Sequence, residues 1–179
     1  MRLPHSLRDD LRASTRAQHR QVDALLAKLD LAQANDYVRF LDIHAEALSQ
    51  LGGRTPLSDR GDTAALLACL QADLQFYGKV RSLSSAVLPE ESFARQLGIA
   101  YVIRGSRLGA KALLRQVGES APSAYLGYAP QTTWGNFLKV LDSFSLFQPP
   151  EAAAECIEGA KAAFLVFIDL AQPSRQFAQ

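Results

Sequence analysis

The stretch PEESFARQLGIAYVIRGSRLGAKALLRQVG, Pro89–Gly118, is the longest helical candidate in the chain, and the rest of the fold is read outward from it. Pro89 suits the first turn of a helix, and Glu90 and Glu91 suit the positive end of its dipole. Gly98, Gly105 and Gly109 lie inside the run, each costing about 0.8 to 1 kcal/mol relative to alanine in a helix interior. With Ala94 and Ala112 they are separated by four, seven, four and three residues, so one helix face is nearly devoid of side chains. Such a groove admits either a second helix, for which one Gly-x-x-x-Gly is a common device, or a flat ligand lying against the backbone.

The flanking segments are also helical in pattern. Leu7, Leu11, Thr15, Val22, Leu26 and Leu29 form one stripe of a long first helix, with Ser6 as its N-cap and Asp9 and Asp10 in its first turn. Tyr37, Phe40, Leu41, His44, Leu48 and Leu51 mark a second helix that starts at Asn35-Asp36 and stops at Gly52-Gly53. Residues 54–62 read as loop, and Thr63 to Phe76 as a third helix ending at Gly78. After the Pro89–Gly118 run, residues 119–130 read as loop and Gln131 to Phe144 as helix. Pro149-Pro150 then introduces a last helix, Glu151 to Ala171. No alternating strand pattern or Asn-Gly hairpin turn occurs. The expectation is an all-α, single-domain, multi-helix bundle over residues 1–179.

Charge narrows the function classes. Lys+Arg 19 against Asp+Glu 18 leaves a net charge of +1, too little to hold a nucleic acid or an anionic membrane. Cys69 and Cys156 are too few and too far apart for a disulfide framework or a thiolate zinc site, and read as buried free thiols. The charged start is unlike a secretory signal, and Ala162 to Leu170, broken by Asp169, is far short of the ~20 residues of a membrane span. A cytoplasmic protein is expected.

Among the three histidines, His5 lies in the N-terminal flank and is expected to face solvent. His44, on the apolar side of its helix, reads as a packed histidine bonded to a carbonyl or water. His19 lies four residues after Thr15, on the inward stripe of the first helix. It is either a satisfied core histidine or a ligand. The glycine face gives the second reading its form: a planar cofactor on the Gly105 to Gly109 backbone, its metal held from the opposite side by His19, would be a heme with a single proximal histidine.

Three segments resemble the heme oxygenases, especially the short bacterial members that include those serving bacterial phytochromes. Leu11-Arg12-Ala13-Ser14-Thr15-Arg16-Ala17-Gln18-His19 is similar to the proximal helix of that family, where a Thr-x-x-x-His signature ends in the iron ligand. Ala100-Tyr101-Val102-Ile103-Arg104-Gly105-Ser106-Arg107-Leu108-Gly109-Ala110 resembles the kinked distal helix, whose glycine pair lies over the heme. Ala160-Lys161-Ala162-Ala163-Phe164 is similar to the last-helix segment that presents a phenylalanine near the cofactor. Ser106 stands where animal members carry an aspartate, Arg104 where bacterial members often have an acid, and Ala110 where a further glycine is usual.

The resemblance implies a heme sandwiched between the first helix and the kinked helix, with His19 as iron ligand. Gly105, Ser106 and Gly109 would form the catalytic face, and Thr15, Tyr101 and Phe164 further heme contacts. Arg12, two turns before His19, with Arg115 and Lys139, would meet the propionates. The implied reaction is cleavage of heme b by molecular oxygen to biliverdin, carbon monoxide and ferrous iron, heme being both cofactor and substrate. No Gly-x-Ser-x-Gly elbow, P-loop or dinucleotide fingerprint is present, so electrons would come from a ferredoxin or flavoprotein reductase. A biliverdin acceptor such as a bacterial phytochrome is an expected partner. Two alternatives stand beside this: a heme-binding or heme-storage protein without turnover, and a bundle that dimerises through its glycine face.

Overall fold

Ser6 opens the first helix as its position predicts: its Oγ accepts from the Asp9 amide at 3.3 Å, ahead of α1 (Leu7–Ser14). The computed structural model describes residues 6–80, 91–147 and 149–172, among which all regular structure is helical. His5, Pro89 and Glu90, for which the sequence carried expectations, lie outside the described residues.

The predicted long first helix is two. It breaks at Thr15 (φ −106°, ψ 3°), whose hydroxyl donates to the Leu11 carbonyl at 2.7 Å, and resumes as α2 (Arg16–Leu26). A threonine bonding back one turn bends a helix, a local conflict that an apolar stripe does not reveal. Leu7 and Leu11 are buried on α1, whereas α2 carries no buried residue and turns Val22 and Leu26 half-covered toward the interior.

Helices α3 (Ala34–Leu51) and α4 (Arg60–Phe76) follow, joined through 3₁₀ turns at Gly52–Arg54 and Leu57–Asp59. The Pro89–Gly118 candidate is also interrupted. Its first part, α5 (Phe93–Ser106), is capped by Ser92, whose Oγ accepts from the Arg95 amide at 3.3 Å. A 3₁₀ turn, Arg107–Gly109, then leads into the short α6 (Ala110–Leu114). The segment read as loop holds a one-turn helix, α7 (Ala124–Gly127). Its first amides are taken by the Asp73 carboxylate of α4, at 3.0 Å from Ala124 N and 2.9 Å from Tyr125 N. That cap is tertiary, so no local signal announces it. Helices α8 (Trp134–Phe147) and α9 (Pro150–Ala171) complete the chain, and no described helix is long and apolar enough to cross a membrane.

The bundle is organised on α9, which packs along α5 and also against α1, α2 and α3. Gly98 makes the closest approach: a Cβ there would fall 1.9 Å from the Cys156 carbonyl oxygen. Gly159 answers from the other helix, with a Cβ position 2.2 Å from the Arg95 carbonyl oxygen. Two glycine notches thus seat α5 and α9 backbone to backbone. The glycine face read from the sequence therefore divides, because Gly98 is a packing glycine while Gly105 and Gly109 look elsewhere. Cys69 and Cys156 are free thiols; Cys156 is buried, which pushes its thiol up to about 12, whereas Cys69 is only half-buried.

Candidate functional site

Gly105 and Gly109 face a cavity of about 460 Å³, within the range of small-molecule and cofactor sites. One wall is α2, through His19, Val22, Asp23 and Leu26. The opposite wall is the α5–α6 kink, through Tyr101, Val102, Gly105, Ser106, Leu108 and Gly109, continued by Ala112 and Leu113. Phe40 and His44 of α3, Trp134, and Phe164 and Phe167 of α9 close the remaining sides. The lining is predominantly apolar, with few convergent polar groups.

His19 stands on this wall and not in the packed core; its side chain is 62% exposed, which sets aside the core-histidine alternative. Its Nδ1 lies 2.8 Å from Asp23 Oδ2, one turn along α2. A carboxylate accepts, so Nδ1 carries a proton and Nε2 is the ring nitrogen turned to other partners, the arrangement in which a histidine ligates a metal with an outer-shell partner behind it. The Phe164 ring meets the imidazole edge-on, 5.7 Å between centroids. Sequence reasoning passed over Asp23, although a carboxylate four residues after a candidate ligand was a readable signal.

At Gly105 and Gly109 the facing wall is bare backbone. A Cβ on Gly109 would meet nothing within 4 Å, and one on Gly105 would meet only the Trp134 ring, at 3.8 Å. The kink is held from behind by two arginines. Arg104 turns away from the cavity into a buried cluster, its Nε 2.7 Å from Asp59 Oδ2, one terminal nitrogen 2.9 Å from the Thr132 carbonyl, and the other 3.7 Å from Asp62 Oδ2. Asp62 also accepts from the Tyr128 hydroxyl at 2.7 Å and the Gln131 amide at 3.0 Å. Arg107 donates to the Tyr125 carbonyl at 2.7 Å and lies over the Tyr125 ring at 4.6 Å. Arg104 is thus balanced by carboxylates outside the cavity.

Of the residues singled out in the sequence, His19, Tyr101, Gly105, Ser106, Gly109 and Phe164 share this one cavity. Ser106 Oγ donates to the Ile103 carbonyl at 2.7 Å. Tyr101 packs on Trp134 at 5.5 Å; burial raises its phenol, and the nearby Arg12 guanidinium opposes that rise. Arg12, Thr15 and Arg115 are not part of the lining, and Lys139 borders a separate groove with Phe93 and Phe144. His44 is packed and bonded as expected, Nδ1 to the Phe40 carbonyl at 2.8 Å, and burial pulls its imidazole down to about 4. No group of three or more metal-ligating side chains is assembled among the described residues.

No protein-family model and no curated protein sequence matches the chain. Among solved structures it is similar to the NO- and CO-bound heme oxygenase from Neisseria meningitidis, at 22% identity and a TM-score of 0.74, covering 96% of this chain and 95% of that one. With helix order, kink and cavity in place, the chain has the heme oxygenase fold.

Proposed function

We propose that this protein is a heme oxygenase, binding heme in the cavity between α2 and the α5–α6 kink and opening it with molecular oxygen to biliverdin, carbon monoxide and ferrous iron. The observation that carries this reading is His19. Its Nδ1 is committed to Asp23, its Nε2 is free to ligate, and the wall opposite is bare backbone at Gly105 and Gly109. The residues fit the group in volume, in apolar lining and in donor set.

When bound, heme would supply the redox-active iron and be itself the substrate. His19, oriented by Asp23, would hold the iron through Nε2. Gly105 and Gly109 let a flat ring approach the peptide groups of the kink, and Arg104 and Arg107 keep that kink from relaxing toward a straight helix. Phe164, Phe167 and Trp134 give the cavity an apolar lining that would keep bulk water from the ring. Arg12, through its position beside Tyr101, is the propionate partner we favour, with Arg115 a second. Electrons come from an external ferredoxin or flavoprotein reductase.

Titration of the purified protein with hemin should give a sharp Soret band at one-to-one stoichiometry, and reducing that complex in air should give biliverdin. A saturable complex that yields no biliverdin under reduction would leave a heme-binding or storage protein. No Soret band would end the heme reading altogether.

A further inference from the structure

His44 is 5% exposed, yet its ring lines the cavity. The Phe40 carbonyl can only accept, so the 2.8 Å contact places a proton on Nδ1. Burial keeps the ring neutral at physiological pH, so there is no second proton and Nε2 carries a lone pair. That nitrogen has no partner among the described residues. Nor is it sealed in: the buried side-chain atoms without a partner among the described residues are Gln18 Oε1, Ser49 Oγ, Glu91 Oε2 and Arg107 Nε. The ring is packed against Phe40 at 4.1 Å, Tyr125 at 5.4 Å and Phe167 at 5.5 Å, which leaves the cavity as the space Nε2 opens onto.

We propose that His44 is a water-positioning residue, its Nε2 accepting a hydrogen bond from one water molecule held against the cavity wall beside the substrate. The chemistry selects the occupant. A lone acceptor in an apolar wall requires an O–H or N–H donor. On the heme reading, on which this inference rests, all four pyrrole nitrogens of the substrate are on the metal and offer no N–H. Arg107 Nε, buried nearby, makes no hydrogen bond and so does not reach His44, and a water is the donor that remains. Ser106 behaves alike, since its proton is used on the Ile103 carbonyl and it presents lone pairs to the same cavity. The charged and titratable groups facing His44 from its neighbours are Arg107 of the kink and Tyr125 of α7. Burial raises the Tyr125 phenol and keeps it protonated, so neither neighbour supplies a competing acceptor charge.

Nitrogen-15 NMR of histidine-labelled apoprotein reads the tautomer directly: His44 should be neutral with the proton on Nδ1, and remain so down to about pH 5. In the ferric heme complex, a water anchored on an acceptor favours a hydrogen-bond-donating water ligand over hydroxide and raises the acid–alkaline transition seen in the visible spectrum. His44→Phe, which keeps the ring shape and removes the acceptor, should lower that transition by roughly 0.5 to 1 pH unit with hemin stoichiometry unchanged. His44→Gln, whose Oε1 accepts, should restore most of it. A proton on Nε2 in the apoprotein, or an unchanged transition in a His44→Phe complex that binds hemin normally, overturns the proposal and leaves the heme reading intact. Absence of a Soret band from the wild-type protein ends both and is told apart by that fact.

Discussion

Gly98→Ala and Gly105→Ala add the same methyl group to the same helix, two turns apart, and the structure gives them opposite consequences. At residue 98 the new Cβ falls 1.9 Å from the Cys156 carbonyl oxygen and 2.7 Å from the Ala160 amide nitrogen. Both are backbone atoms of α9, so no rotamer change relieves the clash. The helices must part by about 1.5 Å to reach the 3.4 Å of ordinary contact, which also unseats the notch at Gly159. Overpacking of this kind costs about 1 to 3 kcal/mol, and a backbone-on-backbone clash belongs at the upper end. The alanine propensity gain of about 0.8 to 1 kcal/mol offsets part of it. A net loss of about 2 kcal/mol remains, or a fall in Tm of roughly 4 to 8 °C for a chain of this size. At residue 105 the Cβ meets only Trp134, at 3.8 Å, so the propensity gain stands alone and Tm should hold or rise by roughly 2 to 4 °C. Thermal melts of the two apoproteins, followed by circular dichroism, decide the matter. A Gly98→Ala protein as stable as wild type, or a Gly105→Ala protein equally damaged, would refute the division of the glycine face into a packing half and a cavity half.

His19→Ala should abolish the one-to-one ferric spectrum while His44→Ala retains iron ligation, as visible spectroscopy would show; Asp23→Asn should keep binding but weaken hemin affinity by about 10-fold to 100-fold. Gly109→Leu should fold with near wild-type apo stability and lose hemin affinity, measured by melts beside titrations. Arg104→Met strands the carboxylates of Asp59 and Asp62 in a buried cluster, so unfolding in urea should report a loss of about 3 to 5 kcal/mol. The last concerns acid: His44 is near 4 in the folded chain against about 6.5 unfolded, so the unfolded chain binds the proton first. Stability present above pH 6.5 is then lost as pH falls toward 4, by about 3 kcal/mol, and His44→Phe should flatten that part of the pH profile of urea midpoints.

The chain's helical class was legible because its apolar positions repeat at three and four residues, as in Tyr37, Phe40, Leu41, His44 and Leu48. What escaped the pattern were interruptions caused by contacts remote in sequence. The α5–α6 kink depends on Arg104 reaching Asp59, and the one-turn α7 on Asp73 reaching across from α4. The break at Thr15 is local but silent, since a threonine on a buried stripe reads as a core residue until its hydroxyl is seen on the Leu11 carbonyl. At the site, residue types were legible and burial was not. His19 read as inward-facing because periodicity reports which side of a helix a residue occupies, and cannot distinguish packed protein from a cavity on that side. Gly98 and Gly105 were indistinguishable for the same reason, both being gaps on one helix face.

The seam at Thr15 separates a helix anchored in the core from one whose hold on the protein is slight. On its near side Leu7 and Leu11 are buried and Arg8 pairs with Asp142 at 3.0 Å; on its far side α2 leans on α9 without burying a single residue. A segment with so little burial sits at the low end of local opening free energies. Whatever fills the cavity supplies the missing contacts to Val22 and Leu26, and its binding free energy is returned chiefly to this helix. Amide exchange in α2 thus becomes a gauge of occupancy, fast in the empty protein and slowed as ligand accumulates, while α5 and α9 register little of the change.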